Sequence, residues 1–236
     1  MQTIVLDRIP FSVDRVEVRR VLGLPGAAPG DAPGSDGVEE IATAAEKVAR
    51  PRAAFRDSFI DARSGDETVI DGVAFASRVL RVNLDSVHRV FPHVATCGIE
   101  IEAWSEGFSD PLERFAVDVI KEQAVRAALV HLESHLRAVN AIGAFSHMNP
   151  GSLPDWPLPQ QQPLFRLLGD LEALIGVRLT ESFLMLPTKT VSGIFFPTET
   201  SFQSCQLCPR EECRGRRAPY DPGLFQERFA QAAGHD

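Results

Sequence analysis

The amino-acid sequence predicts an α+β fold from three observations. A long helical pattern with a strong start signal begins at Asp110. Runs of β-branched and aromatic residues between Ala53 and Leu84 are broken by turn signals. Two strand-like runs around a short turn, LTESFLMLPTKTVSGIFF, occupy Leu179 to Phe196. Long helices beside clustered strands, without regular βα alternation, indicate antiparallel strands packed on helices.

Taken in order, Thr3 to Asp7 predicts a short first strand and Ser12 to Leu22 a short amphipathic helix. Gly23 to Gly37 is mostly Gly, Pro, Ala and Asp. With little to bury, it is expected to be a flexible loop inside a single domain spanning residues 1–236. Val38 to Val48 has a helical pattern that Pro51 ends. Strands separated by turns at Ser64-Gly65-Asp66 and Asp71-Gly72 follow, then a mixed segment to Leu84. Val94 to Trp104, with Gly98 inside, predicts a buried strand running into a helix. At Asp110 the chain offers an N-cap, with Pro111 at the first helical position and Glu113 completing a capping box. Leu112, Phe115, Ala116, Val119 and Ile120 continue at helical spacing, and the pattern runs to about Ala138, with Gly143 beyond its end. Ser146 to Pro163 is an irregular, proline-rich loop. Leu164 to Leu174 predicts a helix, and Asp221 to Ala233 a short terminal one.

Composition narrows the function classes. A net charge of −8 argues against a general nucleic-acid binder and is compatible with a protein partner or a small ligand. No apolar run approaches the roughly 18 residues of a membrane span. The first residues, MQTIVLDRIP, carry neither a basic n-region nor a small-residue cleavage site, so a cytoplasmic protein is expected.

Two features carry candidate chemistry. If Val177 to Met185 is a strand, Val177, Leu179, Glu181, Phe183 and Met185 share one face. Glu181 is then the one charge on an apolar face, and a carboxylate buried there needs a partner. It either accepts hydrogen bonds from a ligand's amine or hydroxyl groups, or sits in water or against an internal cation. The second feature is Cys205-x2-Cys208-x4-Cys213, followed by Arg214, Arg216 and Arg217 in a Cys-rich segment over residues 205–217. Three close thiols can ligate an iron–sulfur cluster or zinc, with Cys97, a histidine or an external group as fourth ligand. A structural zinc knuckle or free thiols are the plainer alternatives. His131 and His135 lie four apart on the long helix, without the metalloprotease pattern, and are expected on a solvated face. Asp155-Trp156 either frames a ligand or a partner surface, or anchors the loop.

The LTESFLMLPTKTVSGIFF segment resembles the activation region of cobalamin-dependent methionine synthase, whose pattern runs L-T-E-S-F-x-M-x-P, then V-S-G and an aromatic pair. His147-Met148-Asn149-Pro150-Gly151-Ser152 sits where that family has an Arg-Pro-Ala-Pro-Gly-Tyr loop, and Val94-Ala95-Thr96-Cys97-Gly98 resembles its middle region. The resemblance implies a C-shaped α+β domain. It implies a shallow groove that binds S-adenosylmethionine and presents its methyl group to a partner's cobalamin, oxidised to the cob(II) state and restored by one electron and methylation. Asn149, Pro150, Gly151, Ser152 and Glu181 are then the expected ligand groove. The implied partners are a separately made corrinoid protein or methionine synthase and an electron donor. His147 stands at the family's arginine and Ser152 at its loop tyrosine, and Phe202 is the nearest aromatic to a further tyrosine. The expected function is reductive activation of a corrinoid methyltransferase. The alternatives are a non-catalytic corrinoid-protein binding or chaperone module, and an iron–sulfur electron carrier.

Overall fold

The computed structural model describes residues 2–24, 37–140, 144–198, 202–213 and 216–230. Most of the predicted Gly23–Gly37 loop, Gly143 and Arg214 lie outside them. The strands are β1 (Ile4–Leu6), β2 (Arg52–Phe55), β3 (Ser58–Ser64), β4 (Glu67–Ile70), β5 (Val73–Ala76), β6 (Arg89–Thr96), β7 (Phe145–Met148), β8 (Arg178–Leu179), β9 (Met185–Leu186) and β10 (Thr190–Pro197). The α-helices are α1 (Arg15–Leu22), α2 (Val38–Val48), α3 (Arg78–Asn83), α4 (Ile99–Ser105), α5 (Pro111–Asn140), α6 (Gln161–Leu168) and α7 (Leu171–Ile175). The class is α+β, as predicted.

β6 and β10 are the centre of an antiparallel sheet. β6 pairs with β10 on one edge and with β2 and β3 on the other, and β10 passes on to β7. Pro92 sits inside β6 because its missing N–H faces the break between β2 and β3. On that side its carbonyl accepts only Arg56 N–H, at 3.0 Å. Strand alternation sends side chains to two cores. Phe55, Phe91, Ala95, Phe145 and Phe195 meet α1, α2, α4 and α5 on one face. Ala54, Val94, Met148, Ile194 and Phe196 meet α3, α6 and α7 on the other. The V-S-G-I-F-F run of β10 is therefore apolar on both sides, because both sides are covered.

Local signals explain most of the helices. Asp14 caps α1 by accepting Glu17 N–H at 3.0 Å. Asp110 Oδ1 accepts Leu112 and Glu113 N–H at 2.9 and 3.0 Å, starting α5 where Pro111 allows it. α5 buries Ile120, Ala124, Ala128, Leu132 and Leu136 at helical spacing against the first core.

Three expectations need correction. The helix predicted over Leu164 to Leu174 is two helices. It breaks at Gly169, whose φ of 85° few other residues accept, and restarts on Asp170, which caps α7 through Ala173 N–H at 3.0 Å. The long first run of the hairpin is not one strand: β8 and β9 pair with each other, Arg178 with Leu186 and Leu179 with Met185. The run folds back because Thr180 supplies the turn, its N–H donating to Leu184 O at 2.8 Å and its Oγ1 accepting Leu184 N–H at 3.0 Å. The terminal helix is a short π-helix, Phe225–Phe229, that closes on the second core through Phe229.

Candidate functional site

The loop after β7 is built by close approach. Gly193 lies opposite His93 in β6 and against the end of β7. A Cβ there would meet Met148 O at 2.5 Å and Asn149 Nδ2 at 2.6 Å, so the V-S-G glycine is required by space. Asn149 Nδ2 donates to Ser192 O at 2.6 Å, which pins the loop to β10. Gly151 turns the chain with a φ of 83°, and its N–H donates to Trp156 O at 2.7 Å. Ser152 Oγ donates to Asn149 O at 2.6 Å, so this hydroxyl is engaged inside the loop. Trp156 is fully buried edge-on to Phe75. Asp155 accepts Val79 N–H at 3.0 Å and the Ser77 hydroxyl at the start of α3. Of the two roles open to Asp155-Trp156, the geometry displays the anchor.

The other predicted element is a presented tip. Thr180 O accepts Phe183 N–H at 3.0 Å, and Phe183 adopts a φ of 63°, a costly conformation for an aromatic residue. Glu181 lies exposed in this turn and, among the described residues, makes no hydrogen bond or ion pair. The expectation of a carboxylate set in an apolar strand face is thus overturned, because the strand that would create that face ends at Leu179. The turn that follows β9 is held from below. Glu102 Oε1 accepts Thr188 N–H and Oγ1–H at 3.3 and 3.0 Å, while Glu102 Oε2 pairs with the buried Lys121 ammonium at 2.7 Å.

Beside the first loop, the first-core face carries histidines. His93 is wholly buried, stacked on Phe195 with ring centroids 4.2 Å apart, and burial pushes its pKa down to about 3. His147 pairs with Phe195 from β7. Burial, then the charge of Arg217, push its pKa down to about 4, against the opposing pull of Glu133. Arg217 Nη1 lies 3.0 and 3.2 Å from the two ring nitrogens of His147. A guanidinium therefore stands beside His147, brought there by a residue seventy positions away. Local sequence carries no signal for that contact.

The thiols do not gather in threes among the described residues. Among the described residues no three His, Cys, Asp or Glu side chains converge as metal ligands. Cys97 is buried in the first core, where burial pushes its thiol up to about 12. Cys205 lies within a 3-10 turn (Ser204–Leu207) beside β7, Cys208 directly follows that turn, and Cys213 is exposed beyond it. His131 and His135 are both half-exposed, and His135 rests edge-on against Phe55. Phe202 is a core residue packed on Phe229. No helix among the described residues is long and apolar enough to cross a membrane.

Comparison with known proteins agrees with this architecture. Residues 151–213 match the family described as vitamin B12 dependent methionine synthase, activation domain. The fold is similar to that of a crystal structure described as the MetH reactivation domain bound to AdoHcy. The TM-score is 0.57 at 18% sequence identity, over 86% of this chain and 81% of that one. No curated protein sequence matches the chain. Residues 151–213 thus carry the sequence signature of that family, and the chain shares the fold of the reactivation domain over most of its length.

Proposed function

We propose that this chain is an activation module for the corrinoid of a methionine synthase-type methyltransferase, and that it binds S-adenosylmethionine in doing so. The observation that carries the reading is the coincidence of the family match over residues 151–213 with the fold of a domain described as bound to AdoHcy. AdoHcy is the demethylated form of S-adenosylmethionine. When bound, S-adenosylmethionine supplies a methyl group, and the partner's cobalamin receives it together with one electron from a separate donor.

The residues present fit the ligand in part. Glu181 offers a solvent-facing carboxylate with no partner among the described residues, suited to an ammonium or ribose hydroxyls. The Asn149-Pro150-Gly151-Ser152 loop is pinned to β10, and Gly151 is exposed on it although Leu158 fills the space a side chain would take. The N–H groups of Gly151 and Ser152 are taken by Trp156 O and Asn149 O, so what these two residues offer is carbonyl oxygen and shape. Arg217, exposed over His147, supplies the cation for the ligand's carboxylate.

A second reading has its own observation. Ser152 Oγ is engaged by Asn149 O and the His147 ring by Arg217, so neither replacement side chain is open to a ligand. This favours a module that binds a corrinoid protein without S-adenosylmethionine. Calorimetric titration with S-adenosylmethionine and with AdoHcy separates the two. Micromolar affinity for either supports activation, and no measurable heat at millimolar ligand supports the binding module.

A further inference from the structure

We propose that Cys205 and Cys208 form a redox-active dithiol that exchanges with low-molecular-weight disulfides. The two residues are three apart across a 3-10 turn, and Cys208 N–H donates to Cys205 O at 3.2 Å. Residues so spaced eclipse one another, with a rise of roughly 2 Å per residue, so their Cα atoms stand about 6 Å apart. That falls inside the window of about 4.4–6.8 Å that a disulfide accepts. Both thiols are free and half-exposed, so a small reactant can reach them.

The turn is built to hold this geometry. Gln203 and Gln206 cap it reciprocally, the side chain of each accepting the other's backbone N–H. Its first residues are fixed to the sheet, since Gln203 bridges to His147 and Phe202 N–H donates to Ser146 Oγ at 2.7 Å. The Arg216 guanidinium donates to the carbonyls of Cys205 at 3.2 Å, Cys208 at 3.4 Å, Ala218 at 3.3 Å, and Arg210. One side chain thereby ties both ends of the C-x-x-C turn together. Arg217 N–H donates to Cys205 Sγ at 3.4 Å, a donor aimed at the sulfur that would attack. Cys213, exposed and outside the turn, shares none of these contacts to sulfur.

The chemistry balances with a disulfide as oxidant. The deprotonated Cys205 sulfur attacks one sulfur of the disulfide. That S–S bond breaks, and the departing sulfur leaves as a thiolate that takes a proton. The Cys208 sulfur, deprotonated in turn, then attacks the Cys205 sulfur of the mixed disulfide. The second thiolate leaves and is protonated. The protein loses two electrons and two protons, and the disulfide becomes two thiols.

The test uses the full chain, reduced and then equilibrated with mixtures of reduced and oxidised glutathione. Acid quenching, alkylation and peptide mapping by mass spectrometry identify the products. A single Cys205–Cys208 bridge is expected in the natural chain and in Cys213→Ser. In Cys208→Ser a glutathione adduct should accumulate on Cys205, because nothing resolves it, and Cys205→Ser should lose both bridge and adduct. Bridges to Cys213 as frequent as those to Cys208 would overturn the proposal. So would an adduct that persists in the natural chain, or zinc or iron held one per chain with the thiols blocked. Far-UV circular dichroism verifies that the serine variants fold. Should one fail, the maps of the natural chain and of Cys213→Ser still decide.

Discussion

The loop that follows β7 is held by groups from elsewhere in the molecule, whereas the turn between β8 and β9 is held by itself. Asn149 reaches β10, Asp155 reaches α3 and Trp156 fills the second core. The Thr180–Leu184 turn closes on its own backbone and hydroxyls, and leaves Glu181 and Leu184 exposed. The lesson is that two segments of one sequence signature divide the work. The first is scaffold, where side chains are spent on stability. The second is a strained tip whose carboxylate is exposed and unpartnered among the described residues. Substitutions should therefore separate stability from ligand binding cleanly.

The largest effect belongs to the scaffold. Trp156→Ala empties a fully buried site between Phe75 and the loop. A loss of about 3–5 kcal/mol is expected in urea unfolding. A loss below about 1 kcal/mol would mean the loop is not anchored by this ring.

Acid should reveal the same scaffold from its other face. Burial lowers the pKa of His93 from 6.5 to about 3, so the unfolded chain takes up a proton first. Stability is then fully present above pH 6.5 and is lost as pH falls from 6.5 towards about 3. By pH 4 the loss from this residue is roughly 3 kcal/mol. His147, depressed to about 4, acts in the same direction over the upper part of that window. His93→Phe keeps a ring on Phe195 and removes the titrating group. Its stability should be less pH-dependent over this range, and an unchanged acid limb in denaturant titrations would exclude the mechanism.

Gly193→Ala asks whether close approach or chain flexibility explains the V-S-G motif. The added methyl meets Met148 O and the Asn149 amide at about van der Waals overlap, and both belong to a pinned loop. Overpacking of this kind costs about 1–3 kcal/mol. The paired variant Asn149→Ala removes one of the two obstacles and should recover part of the loss in a double-mutant cycle. Full additivity would deny the contact.

How much of this was legible in the sequence depends on the range of the contact. α2 runs from Val38 to Val48 as its pattern predicts, and Asp110-Pro111 marks the start of α5 because caps act within a few residues. The split between α6 and α7 was also written locally, as Gly169 followed by Asp170, but the apolar spacing on both sides of it masks the signal. In the hairpin, apolar alternation from Val177 to Met185 competes with Thr180, Glu181 and Ser182, residues that favour turns. Here turn chemistry wins over alternation. The links from Asp155 to α3 and from Arg217 to His147 join distant residues, and no periodicity reports them.

Glu181→Gln is the sharpest separation of the two regions, because its expected effect on stability is the smallest. The side chain is exposed and unpartnered among the described residues, so unfolding free energy should move by no more than about 0.5 kcal/mol. The turn should survive, since Thr180 and not Glu181 holds it. If the carboxylate accepts a ligand's ammonium, the amide loses a charge-assisted hydrogen bond, and affinity for S-adenosylmethionine or AdoHcy should fall by about ten- to a hundredfold. Thr180→Val reverses the pattern within the same turn: it removes the hydroxyl that accepts Leu184 N–H while leaving the carboxylate in place. It should cost about 1 kcal/mol of stability and weaken binding only through disorder of the tip. If Glu181→Gln binds like the natural chain while Thr180→Val does not, the tip serves by shape rather than charge, and the carboxylate is not a ligand contact.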